Sequence, residues 1–179
     1  MKKKALLSYG ILFVIVFLSH AYPAPAFAYA IPLFLVVAPV VLAGRINISV
    51  SVRHLAVGAG VSLLVLAPVF ICLYTQRGFR PPSLHMALTQ LFLVSFPEEV
   101  FFRGFLQDTV GNNLPGVAIV SLMFSLAHLP SLLFRGDVYA LLTFFPSLVM
   151  GLLYMKTKNV LPSTVFHFLA NVLFLGFVI

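Results

Sequence analysis

Two adjacent glutamates inside an apolar stretch are the residues of this sequence best placed for chemistry. Glu98 and Glu99 make up half of the four acidic residues in the chain, and Arg103 follows them. An ionisable side chain surrounded by hydrocarbon costs about 2.5–3.5 kcal/mol, so it needs a partner or a task. A spacing of four puts Glu99 and Arg103 on one helical face, where they can pair. Glu98 lies about 100° away around the helix and stays free to act as a general base or acid.

Imidazole and amide groups interrupt two later apolar stretches. His128 lies in one of them, and His167 and Asn171 lie four residues apart in the last one. That spacing puts His167 and Asn171 on one helical face. Within a bilayer such groups turn toward each other or toward a water-filled cavity. We therefore expect three helices to contribute carboxylate, imidazole and amide groups to one site.

The composition around these groups requires a membrane. Of the 179 residues, 61% are hydrophobic and 8% are charged, whereas a soluble domain is about half apolar and about a quarter charged. The bilayer must therefore solvate most of the apolar surface, and membrane lipids are expected partners. The sequence predicts an all-α fold with a single integral membrane domain over 1–179. Nucleic-acid binding is excluded because no basic run accompanies stacking aromatic residues.

Short breaks rich in turn residues divide the chain into about seven predicted transmembrane helices. They cover roughly 5–22, 24–43, 55–74, 84–110, 116–134, 138–155 and 160–179, each near the 20 residues that a crossing needs. The motifs described above all fall in a core at about 84–179. His20, His54 and His85 lie near predicted span ends and are expected at the membrane interface.

The basic residues predict the orientation, because Lys and Arg collect on cytoplasmic loops. A cytoplasmic N-terminus places seven of them inside (Lys2, Lys3, Lys4, Arg45, Arg53, Lys156 and Lys158) and three outside (Arg77, Arg80 and Arg135). We therefore expect a multi-pass protein of a prokaryotic cell (inner) membrane with its N-terminus in the cytoplasm. Counting from the predicted cytoplasmic ends puts the polar groups of all three helices in the cytoplasmic half of the bilayer.

The first apolar stretch has a second interpretation. Three lysines, an apolar run and Ala-Phe-Ala at 26–28 resemble a secretory signal peptide with its cleavage site. Cleavage there would leave the orientation of the later helices unchanged.

Three motifs together resemble a known family. They are Glu-Glu-x-x-x-Arg at 98–103, Phe-x-x-x-His at 124–128 and His-x-x-x-Asn at 167–171. In this order, on separate helices, they are similar to the motifs of the CAAX protease and bacteriocin-processing family (CPBP or Abi), which includes Rce1-like prenyl-protein endopeptidases. The resemblance implies a glutamic-type intramembrane protease that cuts a membrane-proximal, C-terminal segment of a protein or peptide substrate.

The resemblance also implies a role for each motif residue. It assigns three roles, each to two residues: activation of water by Glu98 and His128, oxyanion binding by His167 and Asn171, and structural support of the site by Glu99 and Arg103. It offers prenylated tails, leader peptides and sorting signals as substrates, and the sequence does not choose among them. The sequence also leaves the oligomeric state open.

Two other classes of function remain open at this stage. Two Glu and two His side chains are also metal ligands, but His-Glu-x-x-His and Glu-x-x-His are both missing from the sequence, so no metal or cofactor is expected. A non-enzymatic membrane binding or immunity protein of the same fold would not need the motif residues, and all of them are present. A transporter is disfavoured because the two halves of the sequence carry no paired repeats.

Overall fold

The computed structural model describes residues 2–44 and 46–178, and every regular element in these ranges is a helix. The expectation of an all-α fold is thus confirmed. Arg45, one of the basic residues counted for the orientation, lies outside the described residues. Seven helices, with one composite helix between α3 and α5, follow in chain order: α1 Lys2–Ala21, α2 Phe27–Ala43, α3 Val52–Arg77, α5 Leu114–Ala127, α6 Leu129–Arg135, α7 Phe144–Thr157 and α8 Val160–Val178.

The composite helix, α4, runs over 84–110 and changes its winding along its length. Its successive segments are α-helical at Leu84–Thr89, π-helical at Gln90–Ser95, α-helical at Phe96–Glu99, π-helical at Val100–Gln107 and α-helical at Asp108–Val110. Pro97 has no backbone N–H, and its ring clashes with the carbonyl four residues earlier, which accounts for the wider turn before it. All eight residues of Val100–Gln107 are buried, so α4 is the central helix of the bundle.

Five helical stretches of the described residues are long enough and apolar enough to cross a membrane. They are Lys2–Ala21, Val52–Arg77, Leu114–Arg135, Val138–Thr157 and Val160–Phe177. The fourth stretch joins α7 to a 3₁₀ segment at Val138–Thr143. At 17 residues α2 is shorter than the usual crossing helix, and α4 is not one regular helix. The count of about seven crossings therefore stays a prediction.

Alternating helix directions give the bundle two ends. The end that holds Lys2, which we call the N-terminal end, also holds the α2–α3, α4–α5 and α7–α8 links. Contacts join these links, since Asn159 donates to the carbonyl oxygen of Ser49 at 2.7 Å and Val160 N–H donates to that of Asn47 at 3.1 Å. The opposite end holds the remaining links and the end of α8.

Small residues allow the closest helix contacts. A Cβ atom on Gly58 of α3 would lie 2.7 Å from the carbonyl oxygen of Pro162 and 2.9 Å from Cβ of Val165, so only glycine fits there. On α7, a Cβ atom on Gly151 would lie 2.7 Å from a methyl carbon of Val117. Close approach at small residues is a general means of helix association in membranes. It holds α8 against α3 and α7 against α5, which positions two of the motif-bearing helices.

Candidate functional site

A small cavity within the bundle is lined by all four residues for which the sequence suggested catalysis. Its volume is about 80 Å³, and its walls include Glu98, His128, His167 and Asn171. They come from α4, from the junction of α5 and α6, and from α8. A water site needs at least about 10–15 Å³ of such space, so the cavity has room for a reacting water. Three motifs separated in sequence thus meet at one place.

The Glu99–Arg103 pair expected from the spacing of four is present and fully buried. Arg103 Nε lies 3.3 Å from Glu99 Oε2, and neither side chain is exposed. Arg103 Nη2 also donates to Ser147 Oγ of α7 at 2.6 Å. Its guanidinium carbon lies 5.6 Å from the ring centre of Phe124, within cation–π range. The pair therefore ties α4 to both α5 and α7 from inside the bundle.

His167 lies between the two glutamates. Its Nδ1 is 3.0 Å from Glu99 Oε1, and its Nε2 is 3.8 Å from Glu98 Oε2. An ionised carboxylate only accepts hydrogen bonds, so Nδ1 of His167 carries a proton and donates a hydrogen bond to Glu99. Glu99 thus orients His167 in addition to pairing with Arg103. No pattern within one helix indicates this second contact, because it joins residues 68 positions apart.

Glu98 presents an oxygen atom that makes no hydrogen bond in the described ranges, although His167 lies within ion-pair distance of it. Its side chain is 18% exposed, and within the described part of the chain its Oε2 has no hydrogen bond. Most buried polar atoms are hydrogen-bonded, and an exception calls for an explanation. Besides the site cavity, Glu98 lines a second cavity of about 230 Å³, which α1 and α2 help to enclose. Its carboxylate is therefore open to a small molecule from two sides.

His128 ends α5 with a break in the helix. Its backbone lies at φ −90°, ψ −3°, a sparsely populated region in which many active-site residues are found. Its Nδ1 is 2.8 Å from the carbonyl oxygen of Phe124. A carbonyl only accepts, so Nδ1 carries the proton and a neutral ring keeps a lone pair on Nε2. The geometry thus fixes the tautomer that suits a base.

The phenylalanine of the Phe-x-x-x-His motif packs against both histidines. The ring centre of Phe124 lies 4.8 Å from that of His128 and 5.7 Å from that of His167. Together with the carbonyl contact and the guanidinium above its ring, this makes Phe124 a support for three motif side chains. Its burial places it inside the bundle, away from lipid.

Asn171 reaches the cavity, but its donor group is engaged elsewhere. Its Nδ2 donates to Gln90 Oε1 at 3.1 Å and lies 3.5 Å from Ser95 Oγ. Both partners belong to the first π-helical segment of α4. An oxyanion donor must come within about 2.7–3.1 Å of the oxygen that it stabilises. In this conformation the Asn171 amide holds α8 to α4. To donate to an oxyanion, one of its N–H groups must leave its present partner and point into the cavity.

Several supporting residues escaped the sequence reasoning. Gln107 donates from Nε2 to the carbonyl oxygen of Gly151 at 3.0 Å and to Asn112 Oδ1 at 2.8 Å. Two signals were available: Gln107 stands four residues after Arg103, and Ser147 and Gly151 stand four apart on α7. Both patterns mark helix faces that could have been predicted to meet.

A larger apolar cavity adjoins the site. Its volume is about 620 Å³, and it shares His128 and Asn171 with the site cavity. Its other walls come from α3, α6, the 3₁₀ segment at Val138–Thr143 with Asp137 before it, α7 and α8. Ligand cavities in proteins usually measure about 300–1,000 Å³. This space is therefore large enough for an apolar part of a substrate beside the reacting groups.

One expectation about depth is wrong. α5 begins with Leu114 at the N-terminal end of the bundle, and His128 follows its last residue, so His128 lies in the half near the opposite end. The larger cavity also extends that way, to Asp137 and Tyr139. With a cytoplasmic N-terminus, His128 is not in the cytoplasmic half. His20, in the last turn of α1, lines the 230 Å³ cavity together with Glu98.

A cluster of carboxylate, imidazole and amide groups is buried among helices of membrane-spanning length. This combination is typical of an intramembrane hydrolase. Within the described residues, no three His, Cys, Asp or Glu side chains are grouped so that they could hold a metal ion.

The comparison with protein families agrees with this class. Residues 80–173, more than half of the chain, match the family described as type II CAAX prenyl endopeptidase Rce1-like. The chain belongs to this Rce1-like family, which is a protease family, and the resemblance seen in the three motifs is confirmed. Five helices within residues 2–44 and 46–178 are long and apolar enough to cross a bilayer, and the protein is an integral membrane protein. Searches of curated proteins and of solved structures found no match.

Proposed function

We propose that this protein is a glutamic-type intramembrane endopeptidase that hydrolyses a peptide bond in a membrane-proximal, C-terminal segment of its substrate. The observation that carries the proposal is the water-sized cavity whose walls include Glu98, His128, His167 and Asn171. No serine or cysteine nucleophile is required, because the Glu98 oxygen that makes no hydrogen bond among the described residues can activate water directly.

In the proposed reaction a water molecule lies between Glu98 and His128. The water oxygen attacks the carbonyl carbon of the scissile amide while one of its protons passes to the Glu98 carboxylate. The lone pair on Nε2 of His128 accepts a hydrogen bond from the same water and orients it. The proton then moves from Glu98 to the amide nitrogen as the carbon–nitrogen bond breaks, and Glu98 is ionised again.

The negative charge on the tetrahedral intermediate needs donors. For His167 to donate from Nε2 while Nδ1 remains bonded to Glu99, both nitrogens must carry protons, so this role requires the imidazolium form. Asn171 would supply a second donor by giving up its 3.5 Å contact with Ser95, the longer of its two. Glu99 and Arg103 would hold His167 and the neighbouring helices in position.

The apolar cavity of about 620 Å³ is the proposed place for the apolar part of the substrate beside the scissile bond. Prenylated tails, leader peptides and sorting signals all remain candidate substrates. A substrate anchored in the lipid would reach this cavity laterally, between α3 and α7.

The proposal includes a topology of one domain, 1–179, with seven crossings and its functional core at about 84–179. Five crossings are the helices of spanning length, and α2 and α4 are the other two. The excess of basic residues at the N-terminal end supports a cytoplasmic N-terminus in a prokaryotic inner membrane. The larger cavity then opens in the outer half of the bilayer.

The test is cleavage by purified protein in detergent. Wild-type and Glu98→Gln protein are incubated with a pool of membrane-anchored C-terminal tails, with and without a prenyl group, and the products are read by mass spectrometry. We expect cleavage by wild type alone. Equal cleavage by a folded Glu98→Gln protein contradicts the proposed base. Absence of cleavage by both proteins across all substrate types favours a binding protein of the same fold.

A further inference from the structure

A second polar region lies away from the site, at the N-terminal end of the bundle. It is a cavity of about 740 Å³ between the end of α2, the end of α4 and the α7–α8 link, and it shares no wall residue with the site cavity. Gly104 and Phe105 are among its apolar walls. Its polar walls are Asn47, Asp108, Thr109, Asn112 and Lys158.

Three of the five polar side chains of this cavity, those of Asn47, Asp108 and Asn112, are held in place by hydrogen bonds. Asn47 Nδ2 donates to Asp108 Oδ2 at 2.7 Å and lies 2.8 Å from the hydroxyl oxygen of Tyr154. Asn112 Oδ1 accepts from Gln107 at 2.8 Å, which leaves the Asn112 amide hydrogens for another acceptor. Binding groups that are already fixed lose little freedom when a ligand arrives.

The cavity contains one acidic and one basic side chain that do not neutralise each other. Asp108 and Lys158 both line it, and the ion pairs found among residues 2–44 and 46–178 include neither of them. Asp108 still has Oδ1 for a cationic donor, and Lys158 has an ammonium group for an anion. A ligand that carries both charges would satisfy both residues.

Lys158 also has an unusual backbone. At φ 50°, ψ 35° it closes α7 in the left-handed conformation, and among the described residues it is the only non-glycine with positive φ. Glycine is the usual residue at such a helix end, because a side chain there strains the backbone. Strain of this kind is common where a side chain serves a function. At this position the side chain of Lys158 lines the cavity.

We propose that this cavity binds the headgroup of a phospholipid that carries a phosphate and a primary ammonium group, as in phosphatidylethanolamine. The Lys158 ammonium and the Asn112 amide would donate to the phosphate, and the Asp108 carboxylate would accept from the lipid ammonium. The cavity lies at the ends of the spanning helices, and the headgroups of a bilayer lie beyond the ends of its hydrocarbon core. The inference does not rest on the proposed protease activity.

The lipid preference tests the inference directly. Purified full-length protein in detergent is titrated with dioleoyl phosphatidylethanolamine, phosphatidylcholine and phosphatidylglycerol, and bound lipid is counted by native mass spectrometry. Choline cannot donate a hydrogen bond to Asp108, and glycerol carries no cation. We expect phosphatidylethanolamine to bind about tenfold more tightly than either, as for one charge-assisted hydrogen bond. Equal binding of the three lipids overturns the proposal.

Two variants and a control separate lipid binding from folding. Asp108→Asn should remove the preference for phosphatidylethanolamine over phosphatidylcholine. Lys158→Gly should weaken binding of all three lipids and yet raise Tm in lipid-free detergent, because glycine relieves the strained backbone. Lys156→Ala removes the same charge from an exposed residue outside the cavity and should leave binding unchanged. Unaltered lipid binding by Lys158→Gly contradicts the proposal.

A soluble compound with the same chemistry is the alternative ligand. O-phosphoethanolamine is therefore added as a competitor to protein loaded with phosphatidylethanolamine. We expect no displacement at concentrations comparable to that of the lipid, because the acyl chains add to the affinity of the lipid. Displacement at such concentrations shows that the cavity selects a soluble aminophosphate and overturns the lipid assignment.

Discussion

α3 and α8 pack against each other through Gly58, but they differ in what they bury. The most apolar 18-residue stretch of α3 has a mean hydropathy of 2.4, and only 11% of it is buried. In α8 the corresponding stretch has a mean hydropathy of 1.7, and 39% of it is buried. The buried residues of α3 are Gly58 and Ser62. Those of α8 include Thr164 and His167. In a bilayer, therefore, strong apolar character marks the surface that faces lipid, and polar residues mark the interior.

The interior of the α8 side forms a connected network. Ser147 accepts from Arg103, Arg103 pairs with Glu99, and Glu99 accepts from His167, whose other nitrogen faces Glu98. Buried polar networks are stabilising when every member is satisfied and costly when one is lost. On the exposed face of α3 the comparison predicts tolerance, which ends where α3 packs on α8 at small residues and where it lines the larger cavity.

The largest effect is expected from Glu98, the end of the network that has no hydrogen-bond partner. Glu98→Gln keeps the shape of the side chain and removes the base, so cleavage should fall about 100- to 10,000-fold. Thermal stability should change little, because no hydrogen bond is lost. The matched change on the α3 side is Leu64→Gln, at a position that faces lipid, and activity in detergent should survive it. Residual activity of Glu98→Gln near that of wild type would remove Glu98 from the mechanism.

Removing either member of the buried ion pair should unfold the protein. Glu99→Ala or Arg103→Ala leaves an uncompensated charge in the interior, at a cost of about 3–5 kcal/mol. The yield of monodisperse protein in size-exclusion chromatography should drop sharply for each single variant. The double variant Glu99→Gln with Arg103→Met should recover part of that yield, since it removes both charges. If the single variants are stable but inactive, the pair acts in the chemistry itself.

The closest contact between α3 and α8 should be sensitive to one methyl group. Gly58→Ala forces the Pro162 carbonyl to move and should cost about 1–3 kcal/mol. Gly60→Ala, two residues along the same helix, has nothing within 4 Å of the added Cβ and should be neutral or slightly stabilising. Melting in the same detergent compares the two variants. Similar melting temperatures would contradict the close packing at Gly58.

The smallest effect is expected from chelators. If Glu98 and His128 activate the water without a metal ion, EDTA or 1,10-phenanthroline should leave the cleavage rate unchanged. A pair of variants gives a more specific test. His128→Gln should lose most of the activity, whereas His85→Gln, at an exposed position outside the site, should retain it. A loss with chelator that added zinc reverses would indicate a metal mechanism instead.

The sequence was sufficient for the helical fold, the family and the Glu99–Arg103 contact, because each depends on composition, motif order or spacing within one helix. It failed where helices are irregular or meet. His128 was placed at the wrong depth because it is residue 15 of the 22 in Leu114–Arg135, past the middle of that stretch when counted from the N-terminal end. The contact of His167 with Glu99 and that of Asn171 with Gln90 join distant residues, and no single-helix pattern predicts them. For the winding of α4, Pro97 was the only local sign.

The two wide segments of α4 make this helix unusually tolerant of changes in chain length. A π-helical turn holds more residues than an α-helical one, so a residue can be deleted from Gln90–Ser95 while the turn tightens to α-helical winding. Glu98 and Arg103 would keep their directions in the bundle. The same deletion in the middle of α3, which is α-helical throughout, would rotate half of that helix by about 100° and turn Gly58 away from α8. Related proteins are therefore expected to gain or lose single residues just before the paired glutamates, and seldom within α3.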